Sequence, residues 1–137
     1  WIFRLAKCIP IAPQKDDPAT YQRAFDTAAQ VLREGDLLGI FPEGGITRDG
    51  ALQPFKGGVM KILERAEADG VKVPVVPMAL TNLWGSYFSR IENGGAMARP
   101  FRRGIFNRVG LNMGEAVPAA QVTPQGLQAR VADLLAA

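Results

Sequence analysis

The sequence predicts an α/β fold, with a largely parallel sheet that is flanked by helices and incomplete at its N-terminal side. Short, continuously apolar runs at 8–12 and 37–41 are typical of strands buried in a parallel sheet. Stretches with helical periodicity alternate with such runs, and this alternation favours an α/β layer fold. Trp1 opens directly onto apolar sequence, so we expect the sheet to lack strands on that side.

Three helices are expected, each from a start signal and an apolar face. Asp17-Pro18 and Thr123-Pro124 pair an N-cap residue with a proline in the first turn. Another helix begins at Gly57-Gly58, and Gly35 and Gly70 end the first two. The apolar faces are Tyr21, Phe25, Ala28 and Leu32, then Val59, Ile62, Leu63 and Ala66, and finally Leu127, Val131, Leu134 and Leu135.

Two further strands are expected at 73–80 and 108–113. The first contains Pro74 near its start and Pro77 in its interior. Because proline lacks a backbone N–H, an interior proline pushes a strand towards an edge, a bulge or an early end.

Composition limits the available chemistry. The chain is 47% hydrophobic and 21% charged, as folded globular proteins are, and no apolar run reaches the roughly 20 residues of a membrane-spanning helix. Its single cysteine, Cys8, cannot form an internal disulfide and is expected to be buried. The chain has no histidine, which is the commonest general base and metal ligand, so no metal site is expected.

The stretch FPEGGITRDG, residues 41–50, follows the apolar run 37–41 and precedes the second helix. Glycines let a backbone approach an anion closely, and the amides of a helix start can point at it. Arg48 and Lys56 supply cations, while Glu43 can accept a hydrogen bond from a substrate hydroxyl or orient the arginine. Both a phosphate- or polar-ligand loop and a plain structural turn fit this pattern, which matches neither the Walker loop nor G-x-G-x-x-G.

Two ordered blocks carry a resemblance to a known family. Residues 41–44 with 47–48, followed by 73–77, resemble the third and fourth blocks of the glycerolipid acyltransferase superfamily, the lysophosphatidic-acid and lysophospholipid acyltransferases. Those blocks are usually written FPEGTRS and V-P-V-x-P-V. Here Gly45-Ile46 is inserted and Asp49 replaces the serine, a form similar to bacterial acyltransferase modules fused to transporters or acyl-carrier-protein ligases.

The resemblance covers roughly residues 5–117 and implies a reaction. The family transfers an acyl group from acyl-coenzyme A or acyl carrier protein to a hydroxyl of a glycerol phosphate or lysophospholipid, with no other cofactor. Its third block binds this acceptor, with the arginine on the phosphate and the glutamate on polar groups nearby. The substrate-binding residues expected on this basis are Glu43, Gly44, Gly45, Thr47, Arg48 and Lys56.

The family's catalytic block, H-x-x-x-x-D, uses the histidine to take the hydroxyl proton and the aspartate to orient it. Since this chain has no histidine, no catalytic residue is assigned. Residues 1–137 are expected to form a single partial acyltransferase domain that lacks the upstream catalytic segment and is inactive alone. The full-length protein is expected in the cytoplasm, at the inner face of the membrane. The alternative is a non-catalytic phosphate- or lipid-binding module.

Charge is distributed unevenly along the chain. Residues 1–70 carry 9 Lys or Arg and 10 Asp or Glu, a net charge of −1, whereas residues 71–137 carry 7 and 3, a net charge of +4. Four arginines between 93 and 114 meet no acidic residue and form a basic patch: Arg99, Arg102, Arg103 and Arg108. This patch fits a solvated loop, a contact with an anionic membrane surface or one with acidic acyl carrier protein, and nucleic-acid binding is not expected.

An aromatic cluster follows the fourth block, formed by Trp84, Tyr87 and Phe88. These side chains fit an acyl-chain groove, a membrane interface or packing against the end of the sheet.

Overall fold

The computed structural model describes residues 7–45, 47, 49–84 and 108–137, together with the backbone of 91–92 and 95–96. Within these residues the chain is a mixed α/β protein with α-helices and short antiparallel strand pairs. It divides into two compact units. Unit one contains Trp1–Ile40 and Gly57–Val73, and unit two contains Phe41–Lys56 and Pro74–Ala137.

Helix α1 of unit one, Pro18–Arg33, begins and ends as predicted. The Asp17 carboxylate accepts a hydrogen bond from the Thr20 N–H at 2.9 Å, which satisfies a donor left exposed at the helix N-terminus. Hydrogen bonds from the Thr20 side chain and backbone lower the pKa of Asp17 below its ordinary 3.8. The cap therefore stabilises the helix above about pH 3.8 and is lost as the pH falls through the lowered pKa. Gly35, with a φ of 80°, follows the helix in the left-handed conformation.

Helix α2, Gly58–Ala68, packs against α1 through its predicted apolar face, every member of which is buried. Ile62 of this face meets Phe25 and Ala28 in the core of unit one. The rings of Tyr21 and Phe25 lie edge to face, with their centroids 4.8 Å apart. Helical periodicity thus correctly predicted both helices and the core between them.

Unit two contains two antiparallel strand pairs. Strand β1, Met78–Thr81, pairs with β4, Gly110–Met113, and strand β2, Ile91–Glu92, pairs with β3, Gly95–Ala96. A short 3₁₀ turn, Ala119–Gln121, follows β4.

Proline delays the start of β1. The expected strand covers 73–80, but regular pairing begins at Met78. Pro77 has no N–H to donate, and its carbonyl accepts a hydrogen bond from the Gly114 N–H at 2.9 Å. Pro77 thus precedes the regular strand instead of ending it early, and the strand predicted at 108–113 is found as β4, Gly110–Met113.

Helix α3, Pro124–Ala136, packs against the β1–β4 pair. The Thr123 hydroxyl oxygen accepts a hydrogen bond from the Gly126 N–H at 3.0 Å, so the predicted N-cap is confirmed. The predicted apolar face is buried at Leu127 and Val131, whereas the two leucines near the end of the helix are not fully buried.

The strands predicted at 8–12 and 37–41 are wrong. Neither run forms strand pairing with the described residues, and Leu37 is 100% exposed. A strand needs a neighbour to satisfy its backbone N–H and C=O groups, and an apolar run carries no information about that neighbour. The expected largely parallel sheet is therefore not found in the described part of the chain, where the strand pairs are antiparallel.

Cys8, predicted to be buried, is exposed because the run that contains it is not a core strand. Among the described residues, no helix is both long and apolar enough to cross a membrane. The same residues contain no group of His, Cys, Asp or Glu side chains that could hold a metal ion.

Replacing Phe25 with alanine should lower the free energy of unfolding by about 3–5 kcal/mol, because the ring is buried between α1 and α2. Leu37→Ala is the matched control in the same unit, and it should cost less than about 0.5 kcal/mol because Leu37 is exposed. Urea denaturation followed by circular dichroism measures both. A comparable loss for Leu37→Ala would show that 37–41 is a buried strand, as its apolar pattern suggested.

Candidate functional site

The candidate site is the segment Phe41–Lys56 of unit two, here called the FPEGG loop, which contains every predicted binding residue. Its ends meet where the Lys56 N–H donates a hydrogen bond to the Pro42 carbonyl at 2.8 Å. Beside this hydrogen bond, the Glu43 carboxylate accepts one from the Gln53 N–H at 2.7 Å. These two hydrogen bonds across the loop close it into a compact Ω-like structure.

The two ends of the loop meet at the hydrogen bond between Lys56 and Pro42, and this region is called the neck. Gly44 leaves room there for the Lys56 side chain. Its φ is 64°, and its N–H donates to the Phe41 carbonyl at 3.2 Å in a tight turn. A Cβ atom at Gly44 would lie only 2.9 Å from the Lys56 Nζ, which itself lies 3.5 Å from the Gly44 carbonyl oxygen. The glycine thus allows an exposed ammonium group to lie against exposed backbone, an arrangement that suits an anionic ligand.

Glu43 uses one of its carboxylate oxygens to support the loop. Its Oε2 accepts the hydrogen bond from the Gln53 N–H, which fixes the orientation of the half-buried carboxylate. Its Oε1 forms no hydrogen bond to any residue that the structure describes. The side chain can therefore support the loop and still accept a hydrogen bond from a ligand hydroxyl.

A turn organised by Thr47 and Asp49 forms the far end of the loop. The Thr47 hydroxyl donates to Asp49 Oδ1 at 2.9 Å and accepts from the Gly50 N–H at 3.1 Å. Asp49 Oδ1 also accepts from the Ala51 N–H at 3.0 Å. The hydrogen bonds from the Ala51 N–H and then from Thr47 lower the pKa of Asp49 below 3.8. The carboxylate therefore stabilises the turn above about pH 3.8, and this contribution is lost as the pH falls through the lowered pKa.

The structure brings three of the predicted binding residues together at the neck of the loop: Glu43, Gly44 and Lys56. Gly45 follows them and is exposed. Thr47 lies in the turn at the far end, where its hydroxyl donates a hydrogen bond to Asp49. Arg48 lies outside the described residues.

The basic patch and the aromatic cluster are described only in part. Arg108 is exposed, and Trp84 is partly exposed. The other members lie outside the described residues: Arg99, Arg102, Arg103, Tyr87 and Phe88.

Two residues that were not predicted to bind a ligand shape the loop. Asp49 has a recognisable signal, because Thr and Asp close together before a glycine are typical of turns held by side-chain hydrogen bonds. Gln53 has no such signal, because its backbone N–H donates the hydrogen bond to Glu43. Every residue except proline carries that group.

Gly44→Ala should lower the free energy of unfolding by about 1–2 kcal/mol, because alanine is strained at positive φ and its Cβ meets the Lys56 side chain. Gly45→Ala is the matched control, since a Cβ there has no atom within 4 Å, and the variant should stay within about 0.5 kcal/mol of the parent. Urea denaturation distinguishes them. Equal losses at the two glycines would contradict the contact between Gly44 and Lys56.

Comparison with known proteins finds a family that matches the region of the loop. The family described as Acyltransferase matches residues 1–81, a span that includes the whole FPEGG loop. An N-acylphosphatidylethanolamine synthase from Arabidopsis thaliana is 31% identical over 77 residues, which is 56% of this chain and 26% of that protein.

Two further relatives carry a closely related name. A 1-acyl-sn-glycerol-3-phosphate acyltransferase from Limnanthes douglasii is 36% identical over 81 residues, 58% of this chain and 26% of that protein. The chloroplastic 1-acyl-sn-glycerol-3-phosphate acyltransferase BAT2 from Brassica napus is 29% identical over 80 residues, 58% of this chain and 21% of that protein. No solved structure matches.

The three relatives are plant proteins, so the finer resemblance to bacterial fused modules stays a prediction. The chain spans about a quarter of the length of these relatives. Since the family match covers more than half of the chain and agrees with the blocks at 41–48 and 73–77, the chain belongs to the Acyltransferase family, within the glycerolipid acyltransferase superfamily.

Proposed function

We propose that this chain is the acceptor-binding part of an enzyme that moves an acyl group to a hydroxyl of a glycerol phosphate or lysophospholipid. The observation that carries the proposal is the family match over residues 1–81, because it contains the whole FPEGG loop. Two relatives are named 1-acyl-sn-glycerol-3-phosphate acyltransferase. These relatives support a phosphorylated glycerol acceptor for this chain.

In this proposal the loop neck recognises the polar end of the acceptor. The Lys56 ammonium lies against the exposed Gly44 backbone and attracts the phosphate dianion. The Oε1 atom of Glu43 accepts a hydrogen bond from a glycerol hydroxyl, while Oε2 remains on the Gln53 N–H. The family resemblance adds Arg48 as a second phosphate ligand, and a guanidinium can bind a phosphate through two parallel hydrogen bonds.

Acyl transfer to an alcohol also needs a base. The acceptor oxygen attacks the carbonyl carbon of a thioester, the hydroxyl proton passes to the base, and the thiol leaves. The 137 residues contain no histidine, so the histidine that the family uses has to come from outside them. We therefore expect this chain to bind the acceptor and to need further sequence for turnover.

The proposal also includes the acyl donor and the surface that the basic patch would contact. Acyl-coenzyme A and acyl carrier protein are both thioester donors of the required chemistry. The exposed Arg108, with the other arginines of the basic patch, carries the positive charge that an acidic carrier protein or an anionic inner membrane face would meet.

The direct test is an acyl-transfer assay with radiolabelled acyl-coenzyme A and acyl carrier protein as donors and lysophospholipids as acceptors. This chain is compared with a version extended upstream through any H-x-x-x-x-D segment. Activity in the longer version alone supports the proposal. Activity in neither, with donors and acceptors varied, favours a non-catalytic lipid- or phosphate-binding module, and activity in this chain alone would contradict the need for a histidine base.

Arg48→Ala in the longer, active version should raise the KM for the phosphorylated acceptor by about tenfold or more, since a charged hydrogen bond contributes about 1.5–3 kcal/mol. Arg130→Ala is the matched control, because Arg130 is an exposed arginine on α3 outside the loop. Steady-state kinetics with acceptor varied at saturating donor measures the effect. Unchanged acceptor kinetics would remove Arg48 from the phosphate role.

A further inference from the structure

Trp84 contacts the far end of the FPEGG loop. Strand β1 ends at Thr81, and Asn82 then adopts a φ of 60°, a left-handed conformation that asparagine tolerates better than most residues. Two residues later, the indole ring of Trp84 lies on the backbone of Gly50. Both residues belong to unit two.

The contact leaves no space for a side chain at Gly50. A Cβ atom there would lie 2.8 Å from Cδ2 and 2.9 Å from both Cγ and Cε2 of Trp84. Gly50 also has a φ of 85°, which an L side chain rarely adopts. Two independent features therefore require glycine at this position, namely the backbone conformation and the close approach of the indole.

Gly50 is also part of the hydrogen-bonded turn. Its N–H donates to the Thr47 hydroxyl oxygen at 3.1 Å, and the same hydroxyl donates to Asp49. The indole of Trp84 consequently packs on the residue that the Thr47 hydroxyl holds. Loss of the ring would expose this turn to water on the side that the ring now covers.

We propose that Trp84 is a positioning residue for the acceptor-binding loop: by packing on Gly50 it holds the turn formed by Thr47, Asp49, Gly50 and Ala51 in its hydrogen-bonded conformation. That the loop binds an acceptor rests on the proposed function, whereas the packing of Trp84 on Gly50 rests on geometry alone. Trp84 is still 37% exposed, so its ring lies at the surface beside the loop rather than within the core of unit two. Its role differs from that of a core residue, because the contact it makes is with a loop backbone.

The first test measures the turn without any ligand. Carboxyl ¹³C NMR titration gives the pKa of Asp49, which its hydrogen bonds hold below 3.8 in the parent chain. Trp84→Ala should raise that pKa towards 3.8, and Trp84→Phe, which keeps an aromatic face on Gly50, should restore a low value. Leu111→Ala is the control, since it truncates an exposed apolar side chain of unit two on β4 and should leave the pKa of Asp49 unchanged.

An Asp49 pKa that stays low in Trp84→Ala would overturn the proposal, as would an ordinary Asp49 pKa in the parent.

If Trp84→Ala does not fold, Gly50→Ala separates the ring from the turn and leaves the tryptophan in place. Trp1→Phe makes Trp84 the only tryptophan of the chain, which has two. In that background Gly50→Ala should shift the indole emission to longer wavelength, because the ring loses its cover and becomes more exposed. An unchanged emission spectrum would show that the ring does not pack on Gly50.

The second test separates this inference from the proposed function. Glycerol 3-phosphate is titrated into the parent chain and its variants, with binding measured by calorimetry. Trp84→Ala should weaken binding by about tenfold or more, while Trp84→Phe stays within about threefold of the parent. Binding as tight in Trp84→Ala as in the parent would overturn the positioning role. Absence of binding in the parent counts against the proposed function instead, and the Asp49 pKa comparison still decides whether Trp84 holds the turn.

Discussion

The candidate site depends on one hydrogen bond, from the Lys56 N–H to the Pro42 carbonyl at 2.8 Å. This bond brings the two ends of the FPEGG loop together and so places the Lys56 side chain beside the Gly44 backbone. The hydrogen bond from the Gln53 N–H to the Glu43 carboxylate lies beside it and joins the same two sides of the loop. A loop closed in this way loses less conformational entropy when it binds a ligand, because much of its ordering is already complete.

Glycine and charge act together at the neck of this loop. Gly44 permits the left-handed turn and also leaves the space that the Lys56 side chain occupies. One oxygen of the Glu43 carboxylate already accepts a hydrogen bond from the Gln53 N–H, and this bond orients the carboxylate. A cation and an oriented carboxylate oxygen are the complementary groups that a molecule with a phosphate and a hydroxyl needs. The family match covers the whole of this loop.

Sequence patterns predicted the helices and the family better than they predicted the sheet. The apolar spacing of α1 and α2 specified their shared core, because helical periodicity identifies a buried face within one element. The run at 37–41 carried no comparable information, since pairing depends on a partner elsewhere in the chain, and there the prediction was wrong. The contact of Trp84 with Gly50 could not be predicted either, because it joins residues that are distant in sequence and unrelated by any motif.

Amide NMR of the isotopically labelled chain during titration with glycerol 3-phosphate shows whether the FPEGG loop binds the acceptor. Glycerol and inorganic phosphate, titrated separately, distinguish recognition of the whole acceptor from recognition of either part. We expect saturable chemical-shift changes concentrated in Phe41–Lys56, largest for Gly44, Gly45 and Lys56, and weaker responses to glycerol or phosphate alone. Chemical-shift changes that appear elsewhere in the chain but not at these amides would contradict the assignment of the FPEGG loop as the acceptor-binding site.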